Sequence, residues 1–232
     1  MSAELGVATL GRMPYAEALA LQRDLAARRL AGEIPRDLLL LVEHPPVITL
    51  GRGFRREHLP TPAEFLAARG VEVFEVERGG DVTFHGPGQL VGYPIYHLGE
   101  HRQDLHWFLR RLEDAVIAAL AALGVQGGRR AGATGVWTAG RKIASIGIHV
   151  RQWVTWHGFA LNVTTDLSYF DLMVPCGIPD VVMTSVAREL AERAPRDLWS
   201  RTVEQVILGF AEVFGQAPQL EELAPLGARQ PG

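Results

Sequence analysis

The chain has 232 residues, of which 47% are apolar, and a formal net charge of -3, so its length fits one large domain with a sizeable core. This composition excludes a disordered chain and a strong positive field, and we expect no nucleic-acid partner. The single cysteine, Cys176, excludes an internal disulfide and fits a cytoplasmic protein. The longest apolar run, residues 115–125, is shorter than the roughly 20 residues that cross a bilayer, so we expect no membrane partner.

The chain in order predicts a mixture of strands and helices. Alternating or short apolar runs predict strands at residues 7–10, 38–43, 47–50, 71–76, 90–96, 143–150, 153–157 and 159–163. Helical periodicity and capping residues predict helices over 14–30, from 61, after 104 and over 198–214. With no internal repeat or long linker between them, these elements predict one α+β domain over residues 1–216. We expect a largely antiparallel sheet with packed helices and a frayed tail over residues 217–232.

One glycine-rich segment, residues 78–89, has the sequence RGGDVTFHGPGQ. Its glycines permit close backbone approach, while Arg78, His85 and Gln89 offer hydrogen-bonding groups. The pattern is compatible with a hairpin that has two tight turns and with a ligand-binding loop. Since an arginine and a histidine inside a hairpin need partners, we favour the ligand-binding loop.

Two residue types occur once, and their chemistry is complementary. Lys142 is the only lysine, so 22 of the 23 basic residues are arginine. Arginine keeps its proton, whereas a lysine in a buried or charged setting can give one and take one back. In an extended strand Lys142 would share an apolar face with Ala144 and Ile146. A surface lysine without a role, and an inert buried Cys176, are the alternatives that each residue leaves open when taken alone.

Other kinds of site fit the sequence less well. Residues 135–142 resemble a phosphate-binding loop, but Arg141 stands where that motif has its lysine, and strand periodicity follows. Three histidines lie close together in the sequence, namely His97, His101 and His106. They straddle a predicted strand end and helix start, and no second cysteine accompanies them, so we expect no metal. No thiol-protease signature surrounds Cys176.

Four motifs occur in the order RGGDVTFHGPGQLVGYPI, GRKIASIGIHV, HGFALNV and VPCGI. In this order and at these separations they resemble the octanoyltransferase family of lipoate biosynthesis, the octanoyl-[acyl-carrier-protein]:protein N-octanoyltransferases. The resemblance is strong over residues 38–188. It implies the biotin/lipoate protein ligase catalytic fold, a mixed α+β domain.

The resemblance also implies which residues form the site. Cys176 takes the position of a cysteine that carries the acyl group as a thioester, and Lys142 that of a lysine that acts with it as acid and base. The acyl-binding segments fall on Arg78, Gly79, Gly80, Asp81, Val82, Thr83, Phe84 and His85, on Ser145, Ile146 and Gly147, and on Gly158, Phe159 and Ala160. Asp81 and Phe84 replace residues that are commonly Gln and Tyr, which leaves a polar role at these two positions open.

The implied reaction moves an octanoyl group from octanoyl acyl carrier protein to a lysine of an apo lipoyl domain. Such acceptor domains occur in 2-oxoacid dehydrogenase complexes and in the glycine cleavage H protein. Because thioester exchange is nearly balanced and amide formation is downhill, we expect no ATP requirement and no cofactor. An ATP-dependent lipoate or octanoate ligase on the same fold is the closest alternative, and it would not need Cys176. A non-catalytic module that docks carrier or lipoyl domains is a second alternative.

Overall fold

The computed structural model describes residues 4–177 and 181–222, except the side chain of Cys176. The strands within these residues are β1 (Glu4–Arg12), β2 (Asp37–Glu43), β3 (Val47–Leu50), β4 (Glu72–Glu75), β5 (Val82–His85), β6 (Gln89–Ile95), β7 (Gly128–Arg130), β8 (Ala133–Thr138), β9 (Arg141–Arg151), β10 (Val154–Asn162) and β11 (Ala217–Leu220). The α-helices are α1 (Tyr15–Leu30), α2 (Ala63–Ala68), α3 (Leu105–Ala122), α4 (Val186–Leu190) and α5 (Leu198–Phe214).

The strands form two sheets. The larger has eight strands in the order β11-β1-β2-β6-β10-β9-β8-β7, and the smaller has three in the order β4-β3-β5. In the larger sheet β1 is parallel to β11 and β2, and the remaining neighbours are antiparallel. The prediction of an α+β fold with a largely antiparallel sheet is confirmed.

Each face of the larger sheet packs against different elements. On one face α3 and α5 bury an apolar cluster that includes Phe108, Phe159 and Phe210. On the other face α1 covers the β2, β6 and β10 strands through residues such as Leu21 and Leu25. The smaller sheet has its own apolar cluster around Ile48 and Phe84.

Local sequence signals explain several helix ends. The side chain of Asp104 accepts a hydrogen bond from the backbone N–H of Trp107 (3.0 Å) and so caps α3. Helix α5 ends at Phe214, and the capping residue after it, Gly215, has a φ of 65° in the left-handed region that glycine enters at little cost. The predicted bounds 47–50 and 198–214 agree with β3 and α5.

Two predictions about the strands need correction. The segments 153–157 and 159–163 were expected as separate strands, but β10 runs unbroken through Gly158 because its pairing with β9 is continuous. The tail was expected to fray from residue 217, but β11 adds to the sheet beside β1; residues 223–232 lie outside the described part. Across the described ranges no helix combines the length and apolarity needed to cross a membrane.

Candidate active site

A cavity of about 310 Å³ lies between β5, with the loop before it, and the paired strands β9 and β10. Its lining combines four strands of the larger sheet (β6, β8, β9 and β10), the glycine-rich segment with β5, and one residue of α1. The lining residues are Tyr15, Arg78, Gly80, Asp81, Val82, Thr83, His85, Val91, Tyr93, Gly132, Ala133, Thr134, Lys142, Ser145, Ile146, Gly147, His157, Gly158, Phe159 and Ala160.

Most of the predicted acyl-binding residues line this cavity. All three predicted segments contribute to it, although Gly79 and Phe84 are not among the lining residues. The ring of Phe84 stacks on Tyr169 with the centroids 4.4 Å apart and belongs to the apolar cluster of the smaller sheet. The alternation of side chains along β5 explains why Phe84 points away from the residues on either side of it.

The glycine-rich loop is held directly against β9. The N–H of Gly79 donates to the carbonyl oxygen of Ile148 (2.9 Å). A Cβ atom on Gly147 would lie 2.6 Å from the carbonyl oxygen of Gly79, closer than van der Waals contact allows. Glycine at position 147 therefore permits the backbone approach that closes this side of the cavity.

Arg78 anchors the same loop from within. Its side chain is 7% exposed, and Nη2 donates to the carbonyl oxygen of Thr49 (2.6 Å) and to its Oγ1 (2.9 Å). The Nη1 group donates to the carbonyl oxygen of Gly79 (3.0 Å). Through these contacts Arg78 connects β3 to the glycine-rich loop and stabilises the cavity wall.

Lys142 lines the cavity and is only 2% exposed. Its backbone N–H donates to Val182 O (2.8 Å), and its carbonyl oxygen accepts from Thr184 N (2.9 Å). The Nζ atom lies 5.6 Å from the centroid of the Trp137 ring. The position of the Lys142 amine is thus fixed by its burial, by the backbone hydrogen bonds to residues 182 and 184, and by the ring of Trp137.

The prediction that Lys142 shares a face with Ala144 is wrong. Val136 pairs with Ala144 while Trp137 pairs with Lys142, so β9 has one extra residue, a β-bulge, at this point. Ala144 consequently packs toward α3 and α5, whereas Lys142 lines the cavity with Ser145.

The backbone of Cys176 lies in a short 3-10 turn, Pro175–Gly177, beside the cavity wall. The preceding Val174 donates from its N–H to the carbonyl oxygen of His58 (2.8 Å). A Cβ atom on Gly177 would lie 2.5 Å from Oδ2 of Asp81, which itself lines the cavity. The predicted role of the Cys176 side chain lies outside the described residues.

Asp81 has a polar partner that the sequence did not reveal. Its Oδ2 atom lies 2.5 Å from Nδ1 of His58, and its Oδ1 accepts from the N–H of Val82 (2.8 Å). This pair joins the loop, the cavity wall and the turn that contains Cys176. The two residues are 23 positions apart, so no local pattern connects them.

Four further polar side chains line the cavity, namely Tyr15, His85, Tyr93 and His157. The sequence predicted only His85 among them. Burial lowers the pKa of His85 to about 3, with a contribution from His44, and burial likewise lowers the pKa of His157 to about 3. Both imidazoles are therefore neutral at neutral pH. Burial raises the pKa of Tyr15 and Tyr93, which keeps both phenols neutral as well.

The comparison with protein-family models matches residues 14–211 to the Lipoyl protein ligase A/B catalytic domain. Among curated proteins, the chain is 51% identical over 207 residues to the Octanoyltransferase of Rubrobacter xylanophilus, covering 88% of this chain and 91% of that one. It is 48% identical over 223 residues to the Octanoyltransferase of Gloeobacter violaceus, covering 96% of each.

Solved structures show the same fold at low sequence identity. A crystal structure of lipoate-protein ligase A bound with ATP superimposes with a TM-score of 0.76 at 17% identity, covering 97% of this chain and 90% of that one. A bipartite lipoate protein ligase from Thermoplasma acidophilum gives 0.74 at 17%, covering 95% and 88%. Because the family model matches most of the chain and relatives share about half of its sequence, the chain belongs to the octanoyltransferase family within the lipoyl protein ligase A/B catalytic domains.

Proposed function

We propose that this protein transfers an octanoyl group from octanoyl acyl carrier protein to a lysine of an apo lipoyl domain, through a thioester on Cys176. Relatives named Octanoyltransferase support the overall reaction. The observation that carries the proposal is the lone lysine, Lys142, buried along a cavity whose wall residue Asp81 contacts the turn of Cys176.

In the first step the thiolate of Cys176 attacks the carbonyl carbon of the donor thioester. The bond from that carbon to the sulfur of the carrier protein breaks, and that sulfur leaves as a thiol after it takes a proton. Lys142 acts as the group that accepts the proton of the Cys176 thiol and returns one to the departing sulfur. The products are an octanoyl-enzyme thioester and free carrier protein.

In the second step the amine of the acceptor lysine attacks the octanoyl-enzyme thioester. An amide bond forms, the bond to the sulfur of Cys176 breaks, and Lys142 takes the proton that the amine loses. Because the energy of the thioester drives amide formation, the reaction consumes no ATP. The proposed reaction therefore has two partner proteins. The donor is an octanoyl acyl carrier protein, and the acceptors are lipoyl domains of 2-oxoacid dehydrogenase complexes and the glycine cleavage H protein.

The cavity supplies the acyl site in this proposal. Its wall has small side chains at Ser145, Gly147, Gly158 and Ala160, which leave room for a narrow chain between β5 and the two longer strands. At about 0.8 kcal/mol for each buried methylene, an octanoyl chain gains about 5 kcal/mol from burial. This free energy favours a medium-length apolar acyl chain inside the cavity over the same chain exposed to water.

The acidic carrier protein meets a basic surface in this proposal. The sequence has four pairs of adjacent arginines, at residues 28–29, 55–56, 110–111 and 129–130. Arg55 and Arg56 are exposed and have no carboxylate partner in the described ranges, whereas each of the other pairs has at least one arginine in an ion pair. Arg56 begins the short turn that contains His58, next to the turn of Cys176. A carrier protein on this surface would deliver its thioester close to the candidate nucleophile.

The experiment is a transfer assay with octanoyl acyl carrier protein and an apo lipoyl domain, with and without ATP, followed by mass spectrometry. We expect octanoylated lipoyl domain in both conditions. Transfer that depends on ATP and free octanoate would instead support the ligase alternative.

Arg55→Glu combined with Arg56→Glu should raise the KM for the carrier protein with little change in kcat, and an unchanged KM would contradict the docking surface.

A further inference from the structure

Glu113 is a buried carboxylate that lies behind the wall of the acyl cavity. It belongs to the middle of α3 and is fully buried. Its Oε2 atom accepts from Nη1 of Arg110 (2.5 Å) and from Nε of Arg129 (2.8 Å). Its other oxygen, Oε1, accepts from the backbone N–H of Gly135 on β8 (3.0 Å). One carboxylate therefore connects two partly exposed arginines with the backbone of a buried strand residue.

Gly135 makes room for the end of the Lys142 side chain. A Cβ atom on Gly135 would lie 2.8 Å from Cε of Lys142, 3.4 Å from its Nζ and 2.6 Å from the carbonyl oxygen of Ala144. The first and last of these distances are shorter than van der Waals contact allows. The end of Lys142 therefore occupies space that any other side chain at position 135 would need. The φ of Gly135 is 126°, a value that residues with a side chain rarely adopt.

Trp137, two positions further along β8, contacts the same amine. The centroid of its ring lies 5.6 Å from Nζ of Lys142, a distance at which the face of an aromatic ring attracts a cation. The amine is thus bounded from β8 by an aromatic ring and by the backbone of Gly135.

The contact with Glu113 fixes the backbone beside the amine. The register of β8 against β9 is irregular here, since Val136 pairs with Ala144 whereas Trp137 pairs with Lys142. The N–H of Gly135 has its acceptor on a helix, at Glu113, instead of on a neighbouring strand. A shift of Glu113 would release this N–H, and the backbone that touches Cε and Nζ of Lys142 would move with it.

We propose that Glu113 and Gly135 form a positioning pair for the proton-transferring amine of Lys142. Gly135 leaves the space that Cε and Nζ occupy, and Glu113 holds the backbone of Gly135 in the conformation that keeps this space open. The inference rests on the proposed octanoyl transfer, in which Lys142 accepts and returns protons. Glu113 acts through Gly135, and it is not among the residues that line the cavity.

Two substitutions at position 113 separate the reach of the side chain from its charge. Glu113→Gln keeps the length and an oxygen that can accept from Gly135, but it loses the negative charge. Because Arg110 and Arg129 are partly exposed and can turn toward water, whereas the N–H of Gly135 is buried, the amide oxygen should stay with Gly135. Glu113→Asp keeps the charge but withdraws both oxygens by one methylene group.

We expect Glu113→Asp to lower kcat for octanoyl transfer roughly 10- to 100-fold, because a small displacement of a catalytic group has an effect of this size. The KM for the carrier protein should not change. Glu113→Gln should keep kcat close to that of the unaltered enzyme, although it loses two ion pairs, and melting curves measure that loss. A kcat that falls more in Glu113→Gln, equally in both variants or in neither would overturn the proposal, as would an effect on KM alone.

The single lysine allows the amine to be observed directly. In enzyme labelled with 13C-lysine, Lys142 gives the only lysine Cε signal in the NMR spectrum. The chemical shift of this signal should change in Glu113→Asp and stay the same in Glu113→Gln. An unchanged signal in Glu113→Asp would show that the effect of Glu113 does not pass through Lys142, and would overturn the proposal.

Gly135→Ala tests the other member of the pair and does not depend on the folding of the Glu113 variants. It should lower kcat by about tenfold or more and shift the same signal. A kcat near that of the unaltered enzyme would overturn the proposal. Failure of the unaltered enzyme to transfer octanoyl would contradict the proposed function, whereas normal transfer by Glu113→Asp would contradict this inference alone.

Discussion

Two buried polar clusters of this protein differ in how completely their hydrogen-bonding groups are satisfied. The carboxylate of Asp37 is fully buried and has four polar contacts from three parts of the chain, namely Arg29 Nη2 (3.3 Å), His97 N (3.0 Å), His101 Nε2 (2.6 Å) and Gln216 Nε2 (3.0 Å). At the cavity, by contrast, His157 Nε2 has no such partner in the described part of the chain.

The difference separates a structural cluster from a candidate binding site. The Asp37 cluster ties α1, the start of β2, the loop after β6 and the residue before β11 to one carboxylate, so removing it should loosen several elements at once. The cavity cluster includes His157, which lines the candidate acyl cavity and whose buried Nε2 lacks a hydrogen bond among the described residues. We expect substitutions in the first cluster to lower stability and substitutions in the second to lower activity.

The largest expected effect is on turnover at the cavity. Lys142→Arg keeps the positive charge but removes the ability to cycle a proton, so kcat should fall by roughly 10²- to 10⁴-fold. The assay is octanoyl transfer to the lipoyl domain, accompanied by a melting curve. Arg141→Lys is the matched control, because the neighbouring arginine is half-buried, does not line the cavity and pairs with Glu189 instead. Near-normal turnover of Lys142→Arg would remove its acid–base role.

The next effect should be on stability alone. Asp37→Asn leaves the charge of Arg29 without its buried carboxylate and weakens the contact with His101, and it should cost about 3 kcal/mol of unfolding free energy. Turnover per folded molecule should stay close to that of the unaltered enzyme. Urea unfolding measures the change, and Glu192→Gln, at an exposed carboxylate, serves as the control. A large loss of turnover without a loss of stability would erase the distinction between the clusters.

The two clusters should also lose stability in different ranges of pH. Burial lowers the pKa of His85 and His157 from 6.5 to about 3, so the unfolded chain binds protons that the native state excludes. Their contribution is fully present above pH 6.5 and is lost as the pH falls toward 3. Burial would raise the pKa of Asp37, but its hydrogen bonds to His101, His97 and Gln216 outweigh this and hold the pKa below 3.8. Its contribution is present above 3.8 and is lost only as the pH falls below that value.

Urea unfolding as a function of pH checks this separation. The free energy of unfolding should fall as the pH is lowered from 6 to 4. His157→Gln should reduce this slope by up to about 1.4 kcal/mol per pH unit, since one proton fewer is taken up on unfolding. Asp37→Asn should alter the slope only below about pH 4. If the Asp37 variant flattened the profile near pH 6, the assignment of the two ranges would be wrong.

The smallest effect concerns the pair of Asp81 and His58 beside the turn of Cys176. We expect Asp81→Asn and His58→Phe each to lower turnover by a few fold, because each loosens the contact between the cavity wall and that turn. In the double variant the effects should not add, with a coupling of about 1 kcal/mol in the barrier. Additive effects in the transfer assay would show that the pair does not act together.

Much of the fold could be predicted from the sequence because its signals are local. The caps and the apolar periodicity of α3 and α5 fix those helices, and the four motifs identify the three segments that line the cavity. Lys142 and Cys176 could be predicted as site residues because each is the only one of its type. Arginine cannot replace a lysine in proton transfer, and the chain has no second thiol.

The features that the sequence did not reveal depend on distant contacts. The bulge that turns Lys142 to the cavity arises from the register of β8 against β9. Tyr15 reaches the cavity from α1, more than 60 positions before Arg78. The only local signal for His157 was a polar residue before a glycine in an otherwise apolar strand, and its left-handed φ appears only in three dimensions.

The central claim is that Cys176 carries the octanoyl group, and a single-turnover measurement of intact mass tests it most directly. After mixing with octanoyl acyl carrier protein, the unaltered enzyme should gain the mass of one octanoyl group and lose it when an apo lipoyl domain is added. Cys176→Ala should gain nothing and transfer nothing. If that variant still octanoylated the lipoyl domain at a rate near that of the unaltered enzyme, the thioester route would be contradicted.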